Sequence, residues 1–253
     1  MNTLLVDIGN TRVKWALLRG ARFVPGKPIA HGGEADAIAT LMKRVKDIDR
    51  VLAVSVAGKR LDQALSREAS ARFGLSVQFV KSSRRAGGIT NGYKDVWRLG
   101  ADRWVGAIGA HALARGRDVL FAMAGTALTI DLVSATGKHR GGAIIPGPAT
   151  MVASLLSGTH GIRRRAQGLA ASSRRLFAGD TASALAAGSR FAAAAFIDRA
   201  VDEAARSQGA KPLLLLSGGA AADLRRHLRH RARDVPDLVL HGLAELARAA
   251  LQP

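Results

Sequence analysis

The chain has 253 residues, 48% of them hydrophobic, enough to bury a sizeable core as one large domain or two of ordinary size. It has no cysteine, which excludes disulfides, thiolate zinc sites and cysteine nucleophiles, so any chemistry runs on carboxylates, hydroxyls, amides and bases. Lysine and arginine total 38 against 19 for aspartate and glutamate; the resulting charge of +19 suits acidic ligands, and nucleic acid is expected to bind only through non-specific attraction, because the basic clusters at 163–165, 174–175 and 225–233 lack interleaved aromatics that stack bases.

Residues 4–7 and 13–18 read as paired strands, with a third strand around 23–29. The pattern then alternates, with a helix at 34–46, a buried strand at 51–56, a helix at 61–73, a strand at 77–80 and a helix at 99–114. After a polar break at 115–118 the order restarts: strands at 119–123, 128–133 and 142–145, a helix from 149, a long helical stretch from 181 to about 206, a strand at 213–216, a helix at 220–231, a strand at 238–240 and a last helix. No apolar run is long enough to cross a bilayer, and the start lacks the basic region and cleavage site of a secretory signal, so the expectation is a cytoplasmic protein that does not enter a membrane.

Both halves follow one order of elements. Aligned by it, VDIGNTRVKWALL falls on AMAGTALTIDLVS, each a strand, a glycine turn with a threonine and a second strand. Short internal similarity of this kind also arises by chance, but the matching element order favours a duplicated α/β fold, with lobes at 1–115 and 116–253 and the two glycine turns at a central cleft.

The first turn, Asp7-x-Gly9-Asn10-Thr11-x-x-Lys14, is suited to phosphate. Glycine lets backbone N–H groups approach an anion, Asn10 and Thr11 add donors, and Lys14 adds a cation. Asp7 is better suited to magnesium or its water than to the phosphate itself. Gly-Asn-Thr is equally ordinary hairpin chemistry. Neither G-x-x-x-x-G-K-[ST] nor a G-x-G-x-x-G opening a helix occurs, which argues against P-loop and dinucleotide-binding folds, while Ser217-Gly218-Gly219 ahead of a helix fits a two-lobed nucleotide site. In NGYKDVWRLGADRWVGAIGAH, residues 91–111, the single tyrosine Tyr93 precedes Asp102 and Arg103 at the head of an apolar helix, where a first-turn carboxylate is also favoured by the helix dipole alone. His227 and His230, spaced i, i+3 among arginines, read as a solvated helix face and not as metal ligands.

Taken together, Asp7-x-Gly9-Asn10-Thr11-x-x-Lys14, Asn91-Gly92-Tyr93, Leu99-Gly100-x-Asp102-Arg103-Trp104, Gly125-Thr126-Ala127-x-Thr129-x-Asp131, Gly141-Gly142-x-Ile144-x-Pro146-Gly147 and Asp180-Thr181 resemble, in order and over nearly the whole chain, the type III pantothenate kinases. The resemblance implies a duplicated actin-like, sugar-kinase-like (ribonuclease H-like) fold that phosphorylates the terminal hydroxyl of pantothenate with ATP, the entry step to coenzyme A. It also implies Asp7, Gly9, Asn10, Thr11 and Lys14 as the phosphate and magnesium turn, Thr126 as its nucleotide-side counterpart, and Asp102 as general base. Tyr93, Gly100, Ala101, Asp102, Arg103 and Thr181 are implied as the pantothenate site, completed by the second subunit of a homodimer. Two positions depart from the family: Val96 stands where proline is usual, and Met123 stands where many members carry an aspartate that contributes to a potassium or ammonium site. The competing readings are another small-molecule kinase or phosphatase of the same superfamily and an accessory transcription factor of the same fold.

Overall fold

The structure, a computed structural model, describes residues 1–170 and 175–250, so Arg174 of the 174–175 cluster lies outside the described residues. In chain order the elements are β1 (Asn2–Ile8), β2 (Arg12–Arg19), β3 (Arg22–Pro25), β4 (Ile29–Ala30), α1 (Asp36–Lys43), β5 (Arg50–Ser55), α2 (Lys59–Phe73), β6 (Val77–Phe79), β7 (Arg85–Ala86), β8 (Ile89–Thr90), a 3₁₀ turn (Val96–Arg98) and α3 (Ala101–Ala114). They continue as β9 (Val119–Ala124), β10 (Ala127–Val133), β11 (His139–Pro146), α4 (Pro148–Gly158), α5 (His160–Ala166), α6 (Thr181–Gln208), β12 (Leu213–Ser217), α7 (Ala221–Arg225), β13 (Arg233–Asp234) and α8 (Leu238–Ala249). Among the described residues no helix is long and apolar enough to cross a membrane.

Two sheets carry the fold, ordered β3-β2-β1-β5-β6 and β11-β10-β9-β12-β13. The order is the same in both. In the first, β1 runs antiparallel to β2 and parallel to β5; in the second, β12 runs parallel to β9 and to β13. The repeated grammar of the sequence is thus a repeated topology. In β1, Leu4, Leu5, Val6 and Ile8 are fully buried, and Leu4, Val6 and Ile8 pack with Ile38, Leu41 and Met42 of α1 and Leu61 and Leu65 of α2. Each such burial is worth about 1.5–3 kcal/mol, so together they tolerate one buried carboxyl, Asp7, in the same strand. In the second sheet Leu120, Ala122, Leu128 and Ile130 pack on Ala193, Ile197 and Val201 of α6.

By contact the chain divides into Met1–Gly116, Val133–Gly141 and Asp237–Pro253 in one unit, and Arg117–Leu132 and Gly142–Pro236 in the other. The expected boundary at 115/116 lies beside the first crossing, and the chain then returns to the first unit twice. One return is the tip between β10 and β11, where Thr90 N–H donates to the Gly137 carbonyl at 2.8 Å. The other is α8, whose Gly242 lies against the Val105 carbonyl of α3 so closely that a Cβ would overlap it.

Four local expectations need correction. His227 and His230 do not share a solvated helix face: they lie beyond the end of α7, where the His227 ring packs on Phe191 (centroids 4.6 Å apart) and His230 Nε2 bonds with Asp202 (2.8 Å). Residues 238–240 are the first turn of α8 and not a strand: Leu238, Val239, Leu240, Leu243, Ala244 and Ala247 are buried, and a short apolar run cannot by itself distinguish a strand from a helix packed on several sides. The helix expected at 220–231 stops at Arg225, because the buried Asp198 carboxylate of α6 accepts the backbone N–H groups of Arg229 (3.0 Å) and His230 (3.2 Å) that a longer helix would direct to its own carbonyls. The third strand breaks after Pro25, where Gly26 N–H turns back to the Trp15 carbonyl (2.9 Å) and the Trp15 indole N–H donates to the Lys27 carbonyl (3.1 Å).

Candidate active site

In the first unit the β1–β2 hairpin closes through Gly9 N–H to the Arg12 carbonyl at 3.1 Å, leaving Asn10 and Thr11 exposed at its tip. Asp7 and Lys14 are cross-strand partners in this ladder. Asp7 is buried, and burial pushes its carboxyl up to about 7 from 3.8; Lys14 opposes the rise, and the negative charges of Asp102 and Asp237 add to it. One buried carboxyl therefore feels two others and one ammonium.

The turn is held from behind by His31, which is buried. Gly33 N–H donates to His31 Nδ1 (3.0 Å), so the proton lies on Nε2, which donates to the Gly9 carbonyl (2.7 Å). His31 N–H in turn donates to the Thr11 carbonyl at 3.2 Å. Sequence reasoning passed over His31 and Asp237. Each acts across a distance in sequence that carries no local pattern.

The head of α3 brings the second group together. Gly100 caps the helix in extended geometry, Trp104 N–H donates to the Gly100 carbonyl (2.9 Å), and Asp102 in the first turn accepts the Arg103 N–H (2.8 Å). Arg103 is only 5% exposed. Its Nη1 donates to the Tyr93 hydroxyl at 3.1 Å, and the Tyr93 ring meets His139 with centroids 5.9 Å apart. Ala101 opens the helix between Gly100 and Asp102. Tyr93, Gly100, Ala101, Asp102 and Arg103 thus stand together, and through the Asp102 charge they reach Asp7.

Thr126 and Thr181 belong to the second unit. Thr126 is exposed at the β9–β10 turn, and its carbonyl accepts Gly147 N–H (2.9 Å) and the Thr150 hydroxyl (2.6 Å) at the start of α4. A Cβ at Gly147 would overlap the Gly125 carbonyl oxygen, so the turn and the helix start meet backbone to backbone. Gly218, at φ +98, likewise lies on Ala124, the last residue of β9, and Ala220 N–H donates to the Ala124 carbonyl (3.1 Å). Three glycine-containing segments thus meet at the end of β9. Met123 lies on β9 opposite Ser217, and Asp131 is fully buried on β10. Thr181 opens α6, capped by Asp180 accepting Ser183 N–H (2.8 Å), and lines an apolar groove of about 550 Å³ with Met151, Leu155, Ile162 and Leu185.

Residues 3–203 match the family of type III pantothenate kinases. The chain is 34% identical over 251 residues to a type III pantothenate kinase of Nitrosococcus oceani, covering 97% of this chain and 93% of that one, and 39% identical over 253 residues to one of Janthinobacterium sp., covering 96% of each. A solved ROK hexokinase from Thermus thermophilus aligns over 100% of both chains with a TM-score of 0.50 at 13% identity, a likeness of fold alone.

Proposed function

The chain belongs to the type III pantothenate kinase family, with the duplicated actin-like fold of sugar kinases, and from that premise we propose that it transfers the γ-phosphoryl group of ATP to the terminal hydroxyl of pantothenate, giving 4′-phosphopantothenate at the entry to coenzyme A synthesis. The observation that carries the reading is the position of Asp102 at the head of α3, beside Arg103, which donates to the Tyr93 hydroxyl, and within electrostatic reach of the buried Asp7, the cross-strand partner of Lys14.

Phosphoryl transfer requires a placed hydroxyl, an in-line phosphate and compensation of charge, with little covalent work from the protein. Asp102 takes the hydroxyl proton as the substrate oxygen bonds to the γ-phosphorus and the bond to the departing ADP breaks. Arg103 holds the pantothenate carboxylate through charge-assisted hydrogen bonds, with the Tyr93 hydroxyl beside it and Gly100 and Ala101 opening the helix that carries Asp102 and Arg103. Gly9 allows close approach of the phosphates, Asn10 and Thr11 donate to them, and Lys14 offsets their charge. Thr126 serves the nucleotide on the second unit.

The residues present fit magnesium. That ion keeps most of its water and takes one or two carboxylates plus phosphate oxygens, and Asp7 offers such a carboxylate where, among the described residues, no group of three or more His, Asp or Glu side chains could hold a metal without substrate. When bound it neutralises phosphate charge. Met123 offers only a soft, neutral sulfur to a hard monovalent cation, so dependence on potassium or ammonium is weaker here than in members with aspartate, unless Asp131 substitutes. Thr181 is the remaining pantothenate-site residue, and a second copy of the chain completes that pocket.

The reading is tested by coupling ADP release to a spectrophotometric assay with purified protein, ATP, magnesium and pantothenate. Pantothenate-dependent ADP release is expected. Release that ignores pantothenate across several monovalent cations would overturn it.

A further inference from the structure

We infer that Arg84 is a positioning residue for substrate selection, fixing the loop that carries Tyr93 without itself touching substrate. The inference rests on the reading of Tyr93 and Arg103 as the substrate side of the site.

The segment from Asn91 to Asp95 lies between β8 and the 3₁₀ turn and belongs to no strand or helix. Its backbone is held instead by two side chains. From inside, the buried Asn91 accepts Tyr93 N–H at its Oδ1 (2.9 Å) and donates from Nδ2 to the carbonyls of Ser83 (3.3 Å) and Val96 (3.4 Å). From outside, one guanidinium collects three carbonyls of the loop: Arg84 Nη1 donates to Asn91 (3.3 Å) and Tyr93 (3.0 Å), and Nη2 donates to Lys94 (2.9 Å). Arg84 is tied back to the same loop, since Asn91 N–H donates to the Arg84 carbonyl at 2.9 Å.

A planar guanidinium has donors in a fixed fork and reaches several acceptors at once, whereas an ammonium is a point donor on a flexible stem. The clamp is therefore specific to arginine. It sets the path of the backbone on both sides of the Tyr93 side chain, and hence the place of the hydroxyl that accepts from Arg103 Nη1 at 3.1 Å. Because Arg84 is exposed, its hydrogen bonds contribute little to global stability, and their loss falls on the local order of this loop. A displaced Tyr93 leaves the buried Arg103 guanidinium less well aimed at a carboxylate, and small misplacements of a binding group weaken recognition strongly.

The experiment compares Arg84→Ala, Arg84→Lys and Arg103→Ala with the parent, using pantothenate and its neutral alcohol analogue pantothenol as alternative substrates. Arg84→Ala is expected to raise the KM for pantothenate about tenfold, with kcat within about twofold and the KM for ATP unchanged. The kcat/KM preference for pantothenate over pantothenol should fall toward that of Arg103→Ala, and Arg84→Lys should rescue it only in part. A merely structural role would lower kcat through loss of active protein with KM and preference unchanged, and that result overturns the inference. Full rescue by lysine also overturns it, and the lysine variant decides the matter if the alanine variant does not fold. If Arg103→Ala itself leaves the preference intact, the substrate-side reading fails; if only Arg84→Ala does, the clamp alone fails.

Discussion

Replacing Asp7 by asparagine tests the electrostatics of the site with little change of shape. Burial is the main cause that raises this carboxyl from 3.8 to about 7, helped by Asp102 and Asp237 and opposed by Lys14. The native state therefore holds the Asp7 proton more tightly than the unfolded chain does. Below pH 3.8 both states are protonated and nothing is lost; between 3.8 and about 7 the unfolded chain releases its proton first, and stability falls as pH rises; above about 7 the loss is complete and levels off. At about 1.4 kcal/mol for each pH unit of that window, ionising Asp7 without a bound cation costs about 4 kcal/mol. Urea unfolding of both proteins from pH 4 to pH 8, free of nucleotide and magnesium, should show Asp7→Asn gaining on the parent by an amount of that order, with the gain complete near neutrality. Taking the difference between the two proteins removes titrations they share. A stability difference that stays constant across the range would refute the reasoning.

Asp102→Asn should lower kcat about 10²-fold or more while pantothenate binding, followed by calorimetry, stays nearly unchanged; near-normal turnover removes Asp102 from the base role. Gly147→Ala drives a methyl group into the Gly125 carbonyl and should displace the Thr126 turn, raising the KM for ATP and lowering stability by about 1–3 kcal/mol, whereas unchanged values would mean that the turn and α4 need not meet. Met123→Asp should make activity more dependent on potassium, measured by titrating potassium chloride against a bulky organic cation at fixed ionic strength so that screening of the +19 charge is constant; a strict potassium requirement in the parent would count against the reading.

Much of this was legible in the sequence because it is encoded locally. The strands around the Gly9 and Gly125 turns and the α3 start with Asp102 and Arg103 follow from apolar alternation broken by turn residues, and both sheets repeat that order. What escaped detection is set by tertiary partners. Residues 238–240 fold as helix because α8 packs on α3 through Gly109 and Gly242, which a run of Leu-Val-Leu cannot announce. The end of α7 is decided by Asp198, roughly thirty residues earlier, taking over two backbone donors. His31 and Arg84 act on the site through backbone carbonyls, and Asp237 through its charge. None of the three belongs to a spacing motif. Side chains that read backbone leave no composition signal, since the partner carbonyl is the same in every residue.

The central claim is that phosphate moves from ATP to the terminal hydroxyl of pantothenate. The most direct measurement is identification of the product: protein, ATP, magnesium and pantothenate are incubated together, and pantothenate and ADP are followed by mass spectrometry and phosphorus NMR. The account predicts one phosphorylated pantothenate for each ADP, with the phosphorus coupled to the protons of the terminal carbon, and almost none with Asp102→Asn. ADP formed without phosphorylated pantothenate, or a phosphate found on the pantothenate carboxylate instead of the hydroxyl, would contradict it.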